Sequence, residues 1–356
     1  MPDKHEREMI GALFVLGFDG RSLPRAAAEV FDRYRVGGAV LFQRNVSDVV
    51  QTWELTRSLR KRRIVVGIDH EGGRVNRLPG PVTATPPMAG LGLARSERLA
   101  EDLGGVHGAE LAALGFQVDY APVLDVAVNP LNRVIGDRAI SGDPGVVGAL
   151  GPAYLRGLGA SGILGCAKHF PGHGAPREDS HVSLPEADLD AETLDRVHVA
   201  PFRAAIRKGA PMIMTAHVVY PAWDKRPATL SRVAVTEHLR GDLGFEGVVV
   251  TDDLQMAAVA DGGWDIADRV LLALGAGVDQ LMICHDLDVQ VAALEAVYRA
   301  VDGKLIRRAR LEASFARIKA MQKAAKRVAP ARNRDELLAV LGCAAHRGIS
   351  ESIPRL

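Results

Sequence analysis

The sequence predicts a (β/α)8 barrel, a single α/β domain with one extra C-terminal helix. Three observations support this prediction. Eight short apolar runs are spaced along the chain, segments with helical periodicity separate them, and charged residues follow the ends of most runs. Continuous apolar runs are typical of strands buried on both faces of a parallel sheet. Eight such strands, each trailed by a helix, are the elements of a (β/α)8 barrel.

The runs are strand-length and rich in Val, Ile, Leu or Phe, with little polar alternation. They cover residues 11–18, 38–42, 64–69, 116–126, 163–170, 212–217, 247–252 and 280–284. Helical patterns cover residues 23–34, 47–59, 96–114, 144–159, 190–208, 231–243, 264–275 and 286–301. The alternative is an open doubly wound sheet, which the lack of a GxGxxG motif at the first strand–helix turn disfavours.

The end of the chain extends this pattern. Residues 305–325 read as one more helix, laced with Lys and Arg. We expect the barrel to occupy residues 1–327. A C-terminal tail, residues 328–356, follows it, with a short helix near residues 335–341 and polar ends.

Composition excludes several classes of protein. The 356 residues include 44 basic and 43 acidic side chains, so no excess charge points to nucleic acid or an anionic membrane. Three widely spaced cysteines predict neither a disulfide framework nor a zinc knuckle. The charged N-terminus does not resemble a signal peptide, and no run of about 18 apolar residues predicts a membrane span. We expect a cytoplasmic monomer with no cofactor and no metal.

Polar clusters stand where the predicted strands end. They begin at Asp69, at Asp125, at Lys168, at His217 and at Asp252. In a barrel the catalytic groups gather at the carboxyl ends of the strands. Burying charged residues is costly unless they are paired or used, so their recurrence at strand ends predicts an active site.

The loop after the fifth run carries the residues best suited to proton transfer. Asp179 lies two residues before His181, where it can hydrogen-bond the imidazole, orient it and raise its basicity. A histidine tuned in this way can give a proton to a leaving oxygen and later take one from water. The alternative is that these residues form a helix cap or an ordinary turn.

Asp252 and Asp253 end the seventh run. Successive strand side chains point to opposite sides, so one of the two should face the pocket and the other can cap a helix beginning near Leu254. Spacing alone does not decide which, and the alternative is that both are caps or surface residues.

Further candidate ligand-binding groups are Lys168, Arg77, Arg138 and Asp69, which offer several donors or acceptors for hydroxyl or acyl oxygens. Each also suits a structural salt bridge. That structural role is the interpretation we give to His70, Glu71 and Arg74, and we interpret Met212, Met214 and Met256 as core packing.

Three motifs resemble glycoside hydrolase family 3, and most closely its bacterial single-domain β-N-acetylhexosaminidases of cell-wall recycling. They are GIDHEGGRV at 67–75, KHFPGHG at 168–174 followed by DSH at 179–181, and TDDLQM at 251–256. APVLD at 121–125, VIGDR at 134–138 and MIMTAH at 212–217 also fit. The resemblance runs in order from about residue 11 to residue 284.

The resemblance implies a role for each candidate residue. Asp252 would be the nucleophile, His181 the acid/base and Asp179 its assistant. Substrate contacts would come from Asp69, Arg77, Arg138, Lys168 and His169. The implied activity is retaining exo-hydrolysis of terminal β-linked N-acetylglucosamine from a small glycan or muropeptide.

The same residues also fit other functions. A neutral histidine acid repels phosphate less than a glutamate, so a β-glycoside phosphorylase is possible on the same site, as is a β-glucosidase. His169, His173, His181 and Asp179 could bind a metal in a barrel metallohydrolase. A non-catalytic sugar-binding barrel would need Asp69 and Lys168 but not Asp252 with His181.

Overall fold

The computed structural model describes residues 2–176 and 184–355, and within them eight parallel strands close into a barrel in chain order. The strands are β1 Phe14–Leu16, β2 Gly38–Leu41, β3 Val65–Ile68, β4 Val118–Asp119, β5 Leu164–Phe170, β6 Met212–Thr215, β7 Val248–Asp253 and β8 Gln280–Ile283. Closure is set by the pairing of β1 with β8, where Val15 lies beside Met282. The predicted (β/α)8 fold is confirmed, and the doubly wound alternative is wrong because the sheet has no open edge.

Each strand lies within its predicted run, except that β7 continues one residue further to Asp253, and two runs differ from their strands by more than a short overhang. Residues 11 and 12 of the first run belong to the N-terminal helix. The fourth run spans residues 116–126, yet its regular strand is only Val118–Asp119. Pro122 has no N–H to give to a strand ladder, so regular pairing stops before it. Beyond it, Val123 forms an isolated bridge with Lys168.

Helices surround the barrel and bury its outer face. They are α1 Lys4–Ala12, α2 Arg25–Tyr34, α3 Val49–Lys61, α4 Ala89–Ala94, α5 Glu97–Leu114, α6 Pro144–Ala160, α7 Ala191–Thr193, α8 Ala200–Arg207, α9 Ala257–Ala260, α10 Ile266–Ala276, α11 Leu287–Asp302, α12 Arg308–Ala325, α13 Arg334–Val340 and α14 Ala344–Glu351. None of these helices is both long and apolar enough to cross a membrane. Cys166 and Cys284 are buried and unpaired, as core residues are.

Two of the predicted helices depart from α geometry. A π-helical turn, Leu194–Val199, lies between α7 and α8. It ends two residues before Pro201, which cannot donate a hydrogen bond inside a helix, and a widened turn is one way to accommodate that missing donor. The segment Val233–Asp242 is also π-helical.

The C-terminal tail is more ordered than its composition suggests. The structure confirms the short helix as α13 and adds α14, which the sequence analysis did not predict. Both helices pack against α5. Helix α14 is eight residues long and Ile349 is its only large apolar side chain, so its pattern is too short to stand out in the sequence. Polar contacts help to hold it, and Ile353 beyond it is buried. The division into a barrel at 1–327 and a tail at 328–356 stays a prediction.

Candidate active site

A cavity of about 460 Å³ opens at the carboxyl ends of the barrel strands. Residues that end or follow β2, β3, β5, β7 and β8 line it. Its lining includes Asp69, Glu71, Arg77, Arg138, Lys168, His169, Asp252, Asp253, Met256 and His285. Six of the candidates predicted from the sequence therefore surround one space, although they are up to 183 positions apart in the chain, from 69 to 252.

A buried chain of charges forms one wall of the cavity. The Lys168 ammonium lies 2.5 Å from Asp69 Oδ1 and 2.6 Å from Glu71 Oε1. Arg138 holds the same Glu71 carboxylate through two hydrogen bonds of 2.8 Å. Burial alone would raise the pKa of Glu71, but Lys168 and Arg138 outweigh it and hold that pKa well below its usual value. Glu71 thus remains an anion and fixes both cations in place.

Lys168 is 2% exposed and its pKa is raised. Burial opposes its charge, but Asp69 and Glu71 more than compensate. A permanently charged ammonium with three donors is thus held at the wall beside Asp69, whose side chain is still partly exposed.

Asp125 organises the second wall. Its buried carboxylate accepts hydrogen bonds from the His169 ring Nδ1 at 2.7 Å, from the His169 backbone N–H at 3.1 Å and from the His173 backbone N–H at 2.6 Å. Burial would raise the pKa of Asp125, but His169, His173 and these hydrogen bonds lower it. An ionised Asp125 accepts the proton of Nδ1, which leaves Nε2 of His169 facing Asp252.

Asp252 lies at the end of β7 with a carboxylate that is 24% exposed to the cavity. Its Oδ1 accepts the Asp253 backbone N–H at 2.8 Å, and its Oδ2 lies 4.0 Å from His169 Nε2. Among the described residues, Oδ2 accepts no hydrogen bond. Burial acts to raise the pKa of Asp252, but His169, His217, the Asp253 N–H and Lys168 together lower it. The carboxylate is therefore ionised at neutral pH and has an oxygen available to a ligand.

Asp253 uses its carboxylate within the protein. Its Oδ1 accepts the backbone N–H groups of Gln255 and Cys284, each at 3.1 Å, and so ties the end of β7 to β8. The expectation of a helix beginning near Leu254 is wrong, because α9 begins only at Ala257. Asp253 instead closes the turn that precedes α9.

Arginines line the outer part of the cavity. Arg77 has a buried Nε with no hydrogen-bond partner among the described residues. Arg74 pairs with Asp137 at 3.0 Å and also donates to the backbone carbonyls of Arg133 and Val134. The side of the cavity formed by these residues is therefore rich in N–H donors and carries positive charge.

The proposed acid/base pair, His181 and Asp179, lies outside the described residues. His169 and His173, two of the four residues considered as metal ligands, are described. Within residues 2–176 and 184–355, no group of three or more His, Cys, Asp or Glu side chains is arranged to hold a metal ion.

The family model described as "Glycosyl hydrolase family 3 N terminal domain" matches residues 7–321, most of the chain. The chain belongs to glycosyl hydrolase family 3. Relatives named β-hexosaminidase agree with this. The protein from Chromobacterium violaceum is 40% identical over 271 residues, which are 73% of this chain and 75% of that protein. The protein from Thioalkalivibrio sulfidiphilus is 39% identical over 80% of this chain and 83% of its own.

Solved structures of family 3 proteins share the fold. A β-N-acetylglucosaminidase from Paenibacillus sp. is 36% identical with a TM-score of 0.88, and the match covers 94% of this chain and 67% of that one. Native NagZ from Neisseria gonorrhoeae is 30% identical with a TM-score of 0.78, and the match covers 96% of both chains.

Sequence reasoning missed several residues of this family 3 cavity. Asp125 stood out as a polar residue at the end of a run, but nothing in the sequence pairs it with His169. Glu71, interpreted as a salt-bridge partner, does pair with Lys168 and Arg138. Met214 and Met256, interpreted as core packing, also line the cavity. So do Phe42 and His285, which stack on each other at 6.1 Å.

Proposed function

We propose that this family 3 protein is a retaining exo-β-N-acetylglucosaminidase that removes terminal β-linked N-acetylglucosamine from small cell-wall fragments. The observation that carries the proposal is the ionised Asp252 carboxylate, whose Oδ2 accepts no hydrogen bond from the described residues, in a cavity that Lys168 and Asp69 also line. The choice of N-acetylglucosamine as the sugar rests on the names of the relatives, β-hexosaminidase and β-N-acetylglucosaminidase. A non-catalytic sugar-binding protein has no need of such a carboxylate.

The chemistry is a double displacement. Asp252 attacks the anomeric carbon as the bond to the leaving oxygen breaks, and His181 gives that oxygen its proton. The products of this step are the free alcohol, a glycosyl ester on Asp252 and a neutral His181. Water then attacks the anomeric carbon and gives its proton to His181, which releases the sugar and restores the Asp252 carboxylate.

Residues of the two cavity walls bind the substrate. Lys168 and Asp69 offer a charged donor and a charged acceptor to neighbouring sugar hydroxyls, and Arg77 has a buried Nε–H that no described residue accepts. His169, fixed by Asp125, presents Nε2 4.0 Å from Oδ2 of the proposed nucleophile Asp252. Arg138 uses Nε and Nη2 on Glu71 and Nη1 on the Val134 carbonyl, so its remaining N–H groups are the ones available to substrate.

The arginines of the outer cavity support an acidic leaving group. Arg74, Arg77 and Arg133 line that part of the cavity, and muropeptides carry carboxylates that guanidinium groups bind well. A volume of about 460 Å³ suits a small glycan.

A mechanism-based label tests the proposal. A 5-fluoro glycosyl fluoride that keeps the 2-acetamido group should esterify the protein, and mass spectrometry of a digest should place the label on Asp252. Turnover of a nitrophenyl N-acetylglucosaminide should exceed that of the matching glucoside. A label on another residue, or glucoside as the better substrate, would contradict the proposal. Formation of a sugar phosphate in the presence of inorganic phosphate would favour the phosphorylase alternative.

The acid/base assignment has its own test. Asp179→Asn should lower kcat/KM by about 10²- to 10³-fold, because the imidazole loses the anion that raises its basicity. The loss should be smaller for a dinitrophenyl glycoside, whose leaving group needs little protonation in the first step. Full activity of Asp179→Asn toward a glycoside with a poor leaving group would contradict the assignment of Asp179 and His181 as the acid/base pair. The monomeric state and the cytoplasmic location expected from the sequence stay predictions, which sedimentation and cell fractionation would test.

A further inference from the structure

Glu110 of α5 is a buried carboxylate that joins three segments of the chain outside the cavity. It is 1% exposed and accepts four hydrogen bonds. The Thr83 backbone N–H and hydroxyl donate at 2.8 and 2.6 Å, and the Gly342 N–H and His346 Nδ1 each donate at 2.8 Å. We call these four residues the Glu110 junction. Hydrogen bonds to a buried charge are among the strong ones, so the junction fixes the loop after β3 to the C-terminal segment.

Direct contacts reinforce this link. Ser350 in α14 donates to the Ala84 carbonyl at 2.6 Å. Gly342 has a φ of +57° and lies so close to the loop that a Cβ there would be 2.0 Å from the Pro81 carbonyl oxygen. The residue must therefore be glycine both for its backbone angle and for its contact. Residues 341–354 thus lie across residues 81–85 as a strap.

The strapped loop is the one that carries substrate-binding candidates. It leaves β3 through Asp69 and Glu71, passes Arg77 at the cavity wall and returns to residues 81–85. The Gly73 N–H donates to the Thr85 carbonyl at 3.0 Å, so the two limbs of the loop are joined. Thr85 is also in hydrogen-bond contact with His107 of α5 at 3.2 Å. A displacement of residues 81–85 would therefore move the limb that presents Arg77.

We propose that the C-terminal strap, residues 341–354, belongs to the substrate-binding apparatus, and that Glu110 and His346 are positioning residues for Arg77. The expected change in KM rests on the proposed function, whereas the expected change in loop hydrogen exchange does not. Neither residue lines the cavity, so any effect on substrate must pass through the loop.

The decisive variant is His346→Ala. It removes one donor to Glu110 and loosens the strap, so we expect KM for a nitrophenyl N-acetylglucosaminide to rise about three- to ten-fold with kcat within about two-fold. His346→Asn, whose amide nitrogen can replace Nδ1, should restore most of the binding. Hydrogen exchange of the loop amides at residues 77–85 should quicken in the alanine variant and return toward normal in the asparagine variant.

Trp53→Phe is the matched control. The Trp53 indole donates to the Ala331 carbonyl at 3.0 Å, so this change also removes a hydrogen bond between the barrel and the tail, but at a point before the strap. We expect it to lower stability without changing KM or the exchange of residues 77–85. A rise in KM equal to that of His346→Ala would show that general loosening of the tail is responsible, and would overturn the proposal.

A double-mutant cycle with Arg77→Ala completes the test. If the strap acts through Arg77, His346→Ala should raise KM little further once Arg77 is gone. Additive effects would contradict the proposed route. If hydrogen exchange at residues 77–85 is the same in His346→Ala as in the wild type, the strap proposal is wrong, whether or not the wild type hydrolyses glycosides. If exchange is faster in His346→Ala but the wild type hydrolyses no glycoside, only the proposed function is wrong.

Discussion

Two clusters of buried charge lie at opposite ends of the barrel, and they treat their carboxylates differently. At the amino-terminal end, Asp279 immediately precedes β8 and is fully buried. Arg240 Nη2, Arg317 Nη2 and the Ser314 hydroxyl bind it at 2.5, 2.8 and 2.5 Å, and the Val249 backbone N–H adds a bond at 3.0 Å. We call this the base cluster.

At the carboxyl end, the mouth cluster consists of Asp69, Glu71, Arg138, Lys168 and Asp252. Glu71 is saturated by its two cations, as Asp279 is by its own donors. Asp252 differs from both. Its Oδ1 accepts a backbone N–H, and among the described residues its Oδ2 accepts no hydrogen bond and lies 4.0 Å from the His169 imidazole. The base cluster thus joins α12 to the barrel, whereas the mouth cluster retains an anion that is available to substrate. This division matches the general use of the two faces of a (β/α)8 barrel.

The largest expected effect is loss of turnover in Asp252→Asn. The amide oxygen can still accept the Asp253 N–H, so the fold should remain, but a neutral amide is not a nucleophile. We expect kcat to fall on the order of 10⁴-fold with little change in Tm. Steady-state kinetics and thermal unfolding measure the two quantities.

Asp253→Asn provides the control for this change. Its Oδ1 contacts with Gln255 and Cys284 can pass to the amide oxygen, so activity should stay within about ten-fold of wild type. If the two variants lost activity equally, the difference we draw between these neighbouring carboxylates would fail.

In the base cluster we expect a substitution to lower stability and to leave activity unchanged. Asp279→Ala leaves the partly buried guanidinium groups of Arg240 and Arg317 without their anion. Removing one partner of a buried ion pair costs about 3–5 kcal/mol, which chemical denaturation would report as a lower free energy of unfolding. At a temperature where the variant is folded, KM and kcat should be close to wild type. A catalytic defect with unchanged stability would show that the two clusters are not separate in function.

The eight strands and the position of the mouth cluster were predictable from the sequence for a common reason. A strand covered by helices must be apolar along its whole length, so a charged residue at its end is conspicuous. That logic located Asp69, Lys168 and Asp252 and predicted a shared cavity. It also predicted that only one of Asp252 and Asp253 would be free to act on a ligand, although it could not decide between them.

The remaining features depend on contacts that no local pattern records. Asp279 stands directly before a predicted run, and its partners Arg240 and Arg317 lie 39 and 38 positions away in the sequence. The bond from His169 to Asp125 crosses 44 positions. Helix α14 has only eight residues and one large apolar side chain, Ile349, and its hydrogen bonds to α5 and the β3 loop join residues 236 and 266 positions apart.

The smallest expected effect concerns how the protein environment sets the charge of Asp252. His169, His217, Lys168 and the Asp253 N–H all act to lower the pKa of Asp252, whereas burial acts to raise it. His217 lies outside the proposed binding set. Its Nε2 donates to the Asp253 carbonyl at 3.0 Å, and its Nδ1 lies 2.9 Å from the Thr229 hydroxyl.

His217→Gln should keep a donor near the Asp253 carbonyl while removing an imidazole whose charge lowers the pKa of Asp252, an effect that is small because burial lowers the pKa of His217 itself. The pKa of Asp252 should then rise. Because Asp252 attacks as the anion, the acidic limb of kcat/KM should move to higher pH, while the basic limb, which we assign to His181, should stay in place. A pH profile of kcat/KM measured at low substrate concentration separates the two limbs. A shift of the basic limb alone would contradict this account, since it would connect His217 to the acid/base and not to the nucleophile at the barrel mouth.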